Sequence, residues 1–193
     1  MTPIGLYPIL NSIDGLEKCL SLGVNMLQLR IKDQSGDALE KIMAESVALC
    51  KQHHARLFIN DYWELAIQYR AYGVHLGQED LHRADIKKIK HANLHWGISA
   101  HTRHEIGRAL AFKPTYIAIG PIFPTTSKLL AYAPIGIEAL KQYCEEIDCP
   151  IVAIGGIHTK NIAAVLSTGV SGLAILSAVP QAAELLAITR EYI

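Results

Sequence analysis

The feature that most restricts this chain is a rhythm. Short apolar runs recur at residues 4–10, 26–30, 56–60, 73–76, 95–99, 116–120, 151–154 and 172–176, and each is followed by a segment with helical spacing. The runs are rich in Ile, Leu and Val, and several are continuous rather than alternating, the pattern of strands covered on both faces in a parallel sheet. Between them Leu39, Ile42, Met43, Val47 and Cys50, and later Ile162, Val165 and Leu166, mark the buried stripes of helices. Gly23 is placed to stop the first helix, and the helix over 63–69 is expected to be the shortest. Strand and helix repeated in this way predict an α/β fold, a single compact (β/α)8 or TIM barrel. An open doubly wound sheet would have fewer units and exposed edges, and no run carries a polar, Pro-marked edge pattern. No linker or low-complexity stretch intervenes, so residues 1–193 read as one domain.

Half of the residues are hydrophobic and 19% are charged, which excludes disorder and supports a filled core. Eighteen basic and eighteen acidic side chains cancel, which removes the global electrostatic case for nucleic acid or an anionic membrane surface. A small local anion site remains compatible with that balance. No apolar run reaches the ~18 residues of a membrane span, and Met1-Thr2-Pro3-Ile4 does not open a signal peptide. Cys19, Cys50, Cys144 and Cys149 form no Cys-x-x-Cys pair and read as reduced thiols of a cytoplasmic protein. The number of subunits is left open, a homo-oligomer included.

Barrel enzymes work at the C-terminal ends of their strands, so what each run ends in carries the functional reading. The second run ends in Gln28, Arg30 and Lys32 at alternate positions, which puts the three side chains on one face, pointing into the mouth. Asn60-Asp61 ends the third, Gln78-Glu79-Asp80 follows the fourth, Ser99-Ala100-His101 ends the fifth, and Ser177 follows the eighth. Gly155-Gly156, before a helix expected near Thr159, reads as a phosphate cradle or as a simple tight turn. Asp61 and Asp80 suit a hard cation such as Mg²⁺, although Asp80 could equally cap a helix. Arg30, Lys32 and Lys128 supply cations to the same mouth. The connection over 121–134 is the longest and reads as a binding loop. His53, His54, His91 and His95 are set aside as solvated or without a metal-ligand partner, His75 as a packed hydrogen-bonded residue, and Trp63 and Trp96 as packing. His101 is kept as a pocket candidate.

These motifs, in this order, resemble the thiamine-phosphate synthase family across essentially the whole chain. The specific pieces are LQLRIKD (27–33), LFIND (57–61), GVHLGQEDL (73–81), GPIFPTTSK (120–128) and AIGGI (153–157). The resemblance implies a transferase that joins a pyrimidine diphosphate to a thiazole phosphate with Mg²⁺, both substrates being small phosphorylated molecules. It implies that Gln28, Leu29, Arg30, Ile31, Lys32, Asn60, Ser99 and Lys128 hold the pyrimidine diphosphate, with Arg30, Lys32, Ser99 and Lys128 as the catalytic groups. Thr125, Thr126, Ser127, Gly156, Leu176 and Ser177 would hold the thiazole phosphate, and Asp61 and Asp80 the metal.

The chain departs from the family pattern in places. Ser127 stands where the family usually has Thr, keeping the hydroxyl, and Ala100 stands where it usually has a hydroxyl. Two related readings compete. A thiazole tautomerase shares the fold and the thiazole phosphate site, and a regulatory barrel shares the fold. Neither needs the diphosphate clamp of Arg30, Lys32, Asp61, Asp80 and Lys128. An isomerase would need a general acid and base facing each other, and no such pair stands out.

Overall fold

A computed structural model describes residues 4–125 and 132–192. Eight strands, β1 (Gly5–Leu10), β2 (Met26–Leu29), β3 (Arg56–Asn60), β4 (Gly73–Leu76), β5 (His95–Ala100), β6 (Tyr116–Ile119), β7 (Ile151–Ile154) and β8 (Gly172–Ile175), alternate with helices α1 (Ile13–Ser21), α2 (Gly36–Gln52), α3 (Trp63–Gln68), α4 (Ile86–His91), α5 (Arg103–Ala111), α6 (Gly136–Glu146), α7 (Ile162–Leu166) and α8 (Ala182–Tyr192). Every neighbouring pair of strands is parallel, and β1 closes on β8. The expected barrel is the observed one.

Alternation along each strand sorts side chains into two cores. Outward positions such as Leu27, Leu29, Leu57, Ile59, Ile117 and Leu173 pack under the helices. Inward positions, among them Tyr7, Ile9, Met26, Phe58, Tyr116, Val152 and Ala174, fill the barrel. Large rings there need small partners. A Cβ on Gly97 would sit 2.0 Å from the Tyr116 ring, so the β5 position facing that ring has to be glycine. Tyr7, Phe58 and Tyr116 meet edge to face, with centroids 5.3–5.9 Å apart, a geometry worth ~0.5–1.5 kcal/mol per pair beyond area burial.

Helix ends follow local chemistry. Ser12, Asp85 and Thr102 cap α1, α4 and α5, each side chain accepting from a backbone N–H of the first turn. At its other end α1 stops as expected, with Gly23 at φ +82° just past the C-cap. The shortest helix is α7, with five residues, against six in α3. It begins at Ile162 rather than near Thr159, because the intervening turn is tied by its own polar groups. The His158 N–H donates to Asn161 Oδ1 at 2.8 Å, and Asn161 Nδ2 donates to the Gly156 carbonyl at 2.9 Å. No helix among the described residues is long and apolar enough to cross a membrane.

Candidate active site

The C-terminal ends of the strands surround an open cavity of about 670 Å³. On the β2–β4 side stand Arg30, Lys32, Asn60, Asp61 and Asp80. Lys32 Nζ donates to Asp61 Oδ2 at 2.6 Å, while the Arg30 guanidinium has no side-chain partner among the described residues. Asp61 is held in left-handed backbone, φ +68°, by its N–H on the His75 carbonyl at 2.9 Å and its own carbonyl on the Trp63 N–H at 2.8 Å. Aspartate tolerates this conformation better than most residues, yet it costs energy, and such strain gathers at functional sites. Asp80 opens a 3₁₀ turn, Asp80–His82, with Glu79 in the cap position. Partial burial first, and then the charge and hydrogen bond of Asp61, hold the Asp80 carboxyl above the ordinary carboxylate range. Two carboxylates facing each other in this way form a donor pair for a hard divalent cation. The described residues contain no cluster of three or more metal-ligating side chains.

Across the barrel, the β7 and β8 loops contribute Gly155, Gly156, Ile157, Leu176 and Ser177, and Thr125 joins them from the loop after β6. Gly155 and Gly156 both have positive φ, +101° and +67°. A Cβ on Gly156 would lie 2.7 Å from Phe123 Cβ and from the Pro124 carbonyl oxygen. Only glycine lets the β7–α7 turn pass so close to the neighbouring loop while presenting main chain to the cavity. The helix dipole behind this turn is small, because α7 has only five residues and starts at Ile162, with five residues between it and Gly156.

The cavity floor is backed by a polar row through the barrel interior. Gln28 Nε2 donates to the Tyr7 hydroxyl at 3.0 Å, and the Tyr7 and Tyr116 hydroxyls are 2.8 Å apart. His75 Nδ1 lies 2.8 Å from the Tyr116 hydroxyl, and His75 Nε2 lies 2.8 Å from Ser99 Oγ. Burial drives both phenols well above their ordinary pKa, so they stay neutral. Ile9, Ala118, Ile154 and Ala174 give the floor its apolar surface.

A second polar group flanks the mouth beside β4 and β5. Arg108 donates twice to Gln78 Oε1, and Gln78 Nε2 donates to the Ser99 carbonyl. Glu105 accepts from the His101 N–H at 2.6 Å, pairs with the His101 ring at 2.9 Å and accepts from the Tyr132 hydroxyl at 3.0 Å. Burial alone would raise the Glu105 carboxyl, but these donors outweigh it and hold it below the ordinary range. Tyr132 stacks on His101, centroids 4.6 Å apart.

The structure therefore brings Gln28, Arg30, Lys32, Asn60, Asp61, Asp80, Ser99, Thr125, Gly156, Leu176 and Ser177 to one cavity. Leu29 and Ile31 do not join them. The period-two alternation that turns Gln28 and Arg30 inward turns Leu29 and Ile31 outward, where both are buried under the helices. Any part they take in binding goes through main chain. Thr126, Ser127 and Lys128 lie outside the described residues. His101 lines the cavity as expected, and His75, expected as a packed residue, is packed and also lines it. Gln78, at the end of the fourth run, lines the cavity as its position implies, but the spacing of motifs did not reveal Tyr7, Tyr116, Glu105, Arg108 or Tyr132. Their partners lie up to 109 residues away in the chain.

A closed parallel barrel with its polar groups gathered at the C-terminal mouth defines a (β/α)8-barrel enzyme. Residues 6–179 match the family model for thiamine monophosphate synthase, and the chain belongs to that family. It is 50% identical over 182 residues to the thiamine-phosphate synthase of Enterobacter sp. (strain 638), a match covering 94% of this chain and 86% of that protein. It is 49% identical over 182 residues to the thiamine-phosphate synthase of Escherichia coli O6:H1, with the same coverage of 94% and 86%. Among solved structures, thiamine phosphate pyrophosphorylase from Pyrococcus furiosus superposes with a TM-score of 0.85 at 30% identity, covering 100% of this chain and 98% of that one. Like these relatives, the protein is a transferase of the thiamine-phosphate synthase type.

Proposed function

We propose that the protein joins 4-amino-2-methyl-5-(diphosphooxymethyl)pyrimidine to a thiazole phosphate, giving thiamine phosphate and pyrophosphate. The observation that carries this reading is the presence, in one cavity, of two different anion-binding groups on opposite walls. Arg30 and Lys32 beside the Asp61–Asp80 pair suit a diphosphate with a metal. The Gly155–Gly156 turn and Ser177 suit a lone phosphate.

In this reading Gln28, Asn60 and Ser99 hold the pyrimidine over the apolar floor, and Arg30 and Lys32 receive the diphosphate. Lys128 joins them by family resemblance. The bond between the pyrimidine methylene carbon and the diphosphate oxygen breaks, its electron pair leaving with pyrophosphate. The thiazole nitrogen lone pair then captures the pyrimidinylmethyl cation and forms the new C–N bond. Neither event passes a proton to the protein, so no protein nucleophile or general base is required. What the protein supplies is positioning and cationic charge around the leaving group. The facing carboxylates of Asp61 and Asp80 fit Mg²⁺, which takes one or two carboxylates and completes its shell with phosphate oxygens and water. When bound, the ion neutralises charge developing on pyrophosphate. The described cysteines are all free, in keeping with a reducing, cytoplasmic setting.

The test is to incubate the purified protein with both phosphorylated precursors and Mg²⁺, with and without chelator. Thiamine phosphate should form only without chelator. A folded protein that forms none overturns the reading, and product formed equally in chelator removes the metal from it.

A further inference from the structure

The polar row in the cavity floor has a direction. Tyr7, Tyr116 and Gln28 are almost wholly buried, and among the described residues the hydroxyl of Tyr7 hydrogen-bonds only to Gln28 and Tyr116. Because Gln28 Nε2 donates to the Tyr7 oxygen, the single Tyr7 proton has one place to go, the Tyr116 oxygen. The Tyr116 proton must then point at His75 Nδ1, which therefore carries none. A neutral imidazole so arranged has its proton on Nε2 and donates it to Ser99 Oγ, 2.8 Å away. At each link one donor meets one acceptor, as buried polar groups require. Among the described residues the row leaves over the carbonyl oxygen and second amide N–H of Gln28 at one end and the hydroxyl proton of Ser99 at the other, and both residues line the cavity. The Gln28 carbonyl oxygen is placed to accept there, and the Ser99 hydroxyl proton to donate.

We infer that the row Gln28–Tyr7–Tyr116–His75–Ser99 is a polarity lock. It couples the two ends of the pyrimidine site, so that Gln28 presents an acceptor only when Ser99 presents a donor. The inference rests on the reaction proposed above and deepens it. An aminopyrimidine diphosphate offers an amine N–H to Gln28 and an acceptor atom to Ser99, which matches the polarity in place. Its counterpart with an oxo group in place of the amine would set oxygen against the Gln28 carbonyl. Gln28 could accommodate it by turning its amide over, but every proton in the row would then reverse and Ser99 would lose its donor. A site with independent ends would adapt one contact at a time, whereas this one has two states. Tyr7, Tyr116 and His75 are in this sense positioning residues for substrate selection, acting through Gln28 and Ser99.

The test starts on the unmodified protein. With ¹⁵N-labelled histidine, long-range ¹H–¹⁵N correlation spectra report which ring nitrogen of His75 carries the proton, the signals being assigned by their loss in His75→Gln. The Nε2–H form is expected; an Nδ1–H ring overturns the inference. The second measurement is the ratio of binding constants for the aminopyrimidine diphosphate and its oxo counterpart. Tyr116→Phe cuts the row in its middle without touching either end. It should release His75 from a single tautomer and lower the ratio about tenfold, the worth of one mismatched neutral hydrogen bond. A ratio unchanged in Tyr116→Phe overturns the coupling. If Tyr116→Phe fails to fold, Tyr7→Phe cuts the same row one link earlier and is judged by the same two results. Absence of thiamine phosphate formation would remove the reaction while leaving the tautomer result standing. Product formation with an Nδ1–H ring would remove this inference alone.

Discussion

Left-handed backbone occurs at both ends of the barrel, and it does different work at each. At the N-terminal end His54, Arg70, Asn93 and Lys113, with φ between 53° and 55°, sit one residue past the C-caps of α2, α3, α4 and α5. Three of these turns close with a pair of bonds. His54 and Ala55 donate to Lys51 and Cys50, Arg70 and Ala71 to Ile67 and Ala66, and Asn93 and Leu94 to Lys90 and Ile89. That is the Schellman stop, which satisfies the last carbonyls of a helix and favours glycine at the left-handed position. At the C-terminal end Asp61, Gly155 and Gly156 take positive φ with no helix to stop, and all three line the cavity. The same torsion thus serves chain reversal at one end and the display of a carboxylate or of main chain at the other. The difference separates residues that glycine can replace from residues whose side chain, or lack of one, is the function.

Substitutions can break this contrast. Asp61→Gly should have the largest effect. It removes the strained side chain together with its charge, so turnover should fall at least ~100-fold while the melting temperature holds or rises. Steady-state kinetics and thermal unfolding check the pair, and parallel loss of both would mean that Asp61 is structural. Gly156→Ala should destabilise by roughly 1–3 kcal/mol, from a disfavoured φ and from contacts with Phe123 and Pro124. Its KM for the thiazole phosphate should rise well above any change for the pyrimidine diphosphate.

Asp80→Asn probes the facing carboxylates through pH. Burial and Asp61 raise the folded-state pKa of Asp80, so its ionised form opposes folding, and stability is lost as pH rises through that raised value. The variant should be the more stable protein at neutral pH, and the gap should close as pH falls below the ordinary carboxylate range of about 4. A gap that widens on acidification would reverse the sign of the interaction. Smallest of all, His54→Gly and Lys113→Gly should each gain on the order of 0.5 kcal/mol by relieving the left-handed turn, with unchanged kinetics. Loss of activity in either would show that the two ends are not separate.

The barrel was legible because its signal is local and repeated. β3, β4 and β7 have the boundaries that the apolar runs predict, and the others differ by one residue at an end. Most of the cavity was legible for the same reason, since a polar residue ending an apolar run in a barrel has little choice but the mouth. Leu29 and Ile31 came in with their motif, and strand alternation turns their side chains outward, leaving only their main chain toward the site. The late start of α7 was hidden because Asn161 closes its turn through contacts that periodicity does not encode. The floor escaped notice because its bonds join β1, β2, β4, β5 and β6, and each member alone reads as an ordinary core aromatic or histidine.

The central claim is that one mouth holds two anion sites that fill together. Calorimetric titration tests it directly, with inorganic pyrophosphate and the thiazole phosphate added separately and then one after the other, in Mg²⁺. Each should bind once per chain, and saturation with either should leave a full site for the other. Mutual displacement would contradict the account, because it would place both anions in a single site.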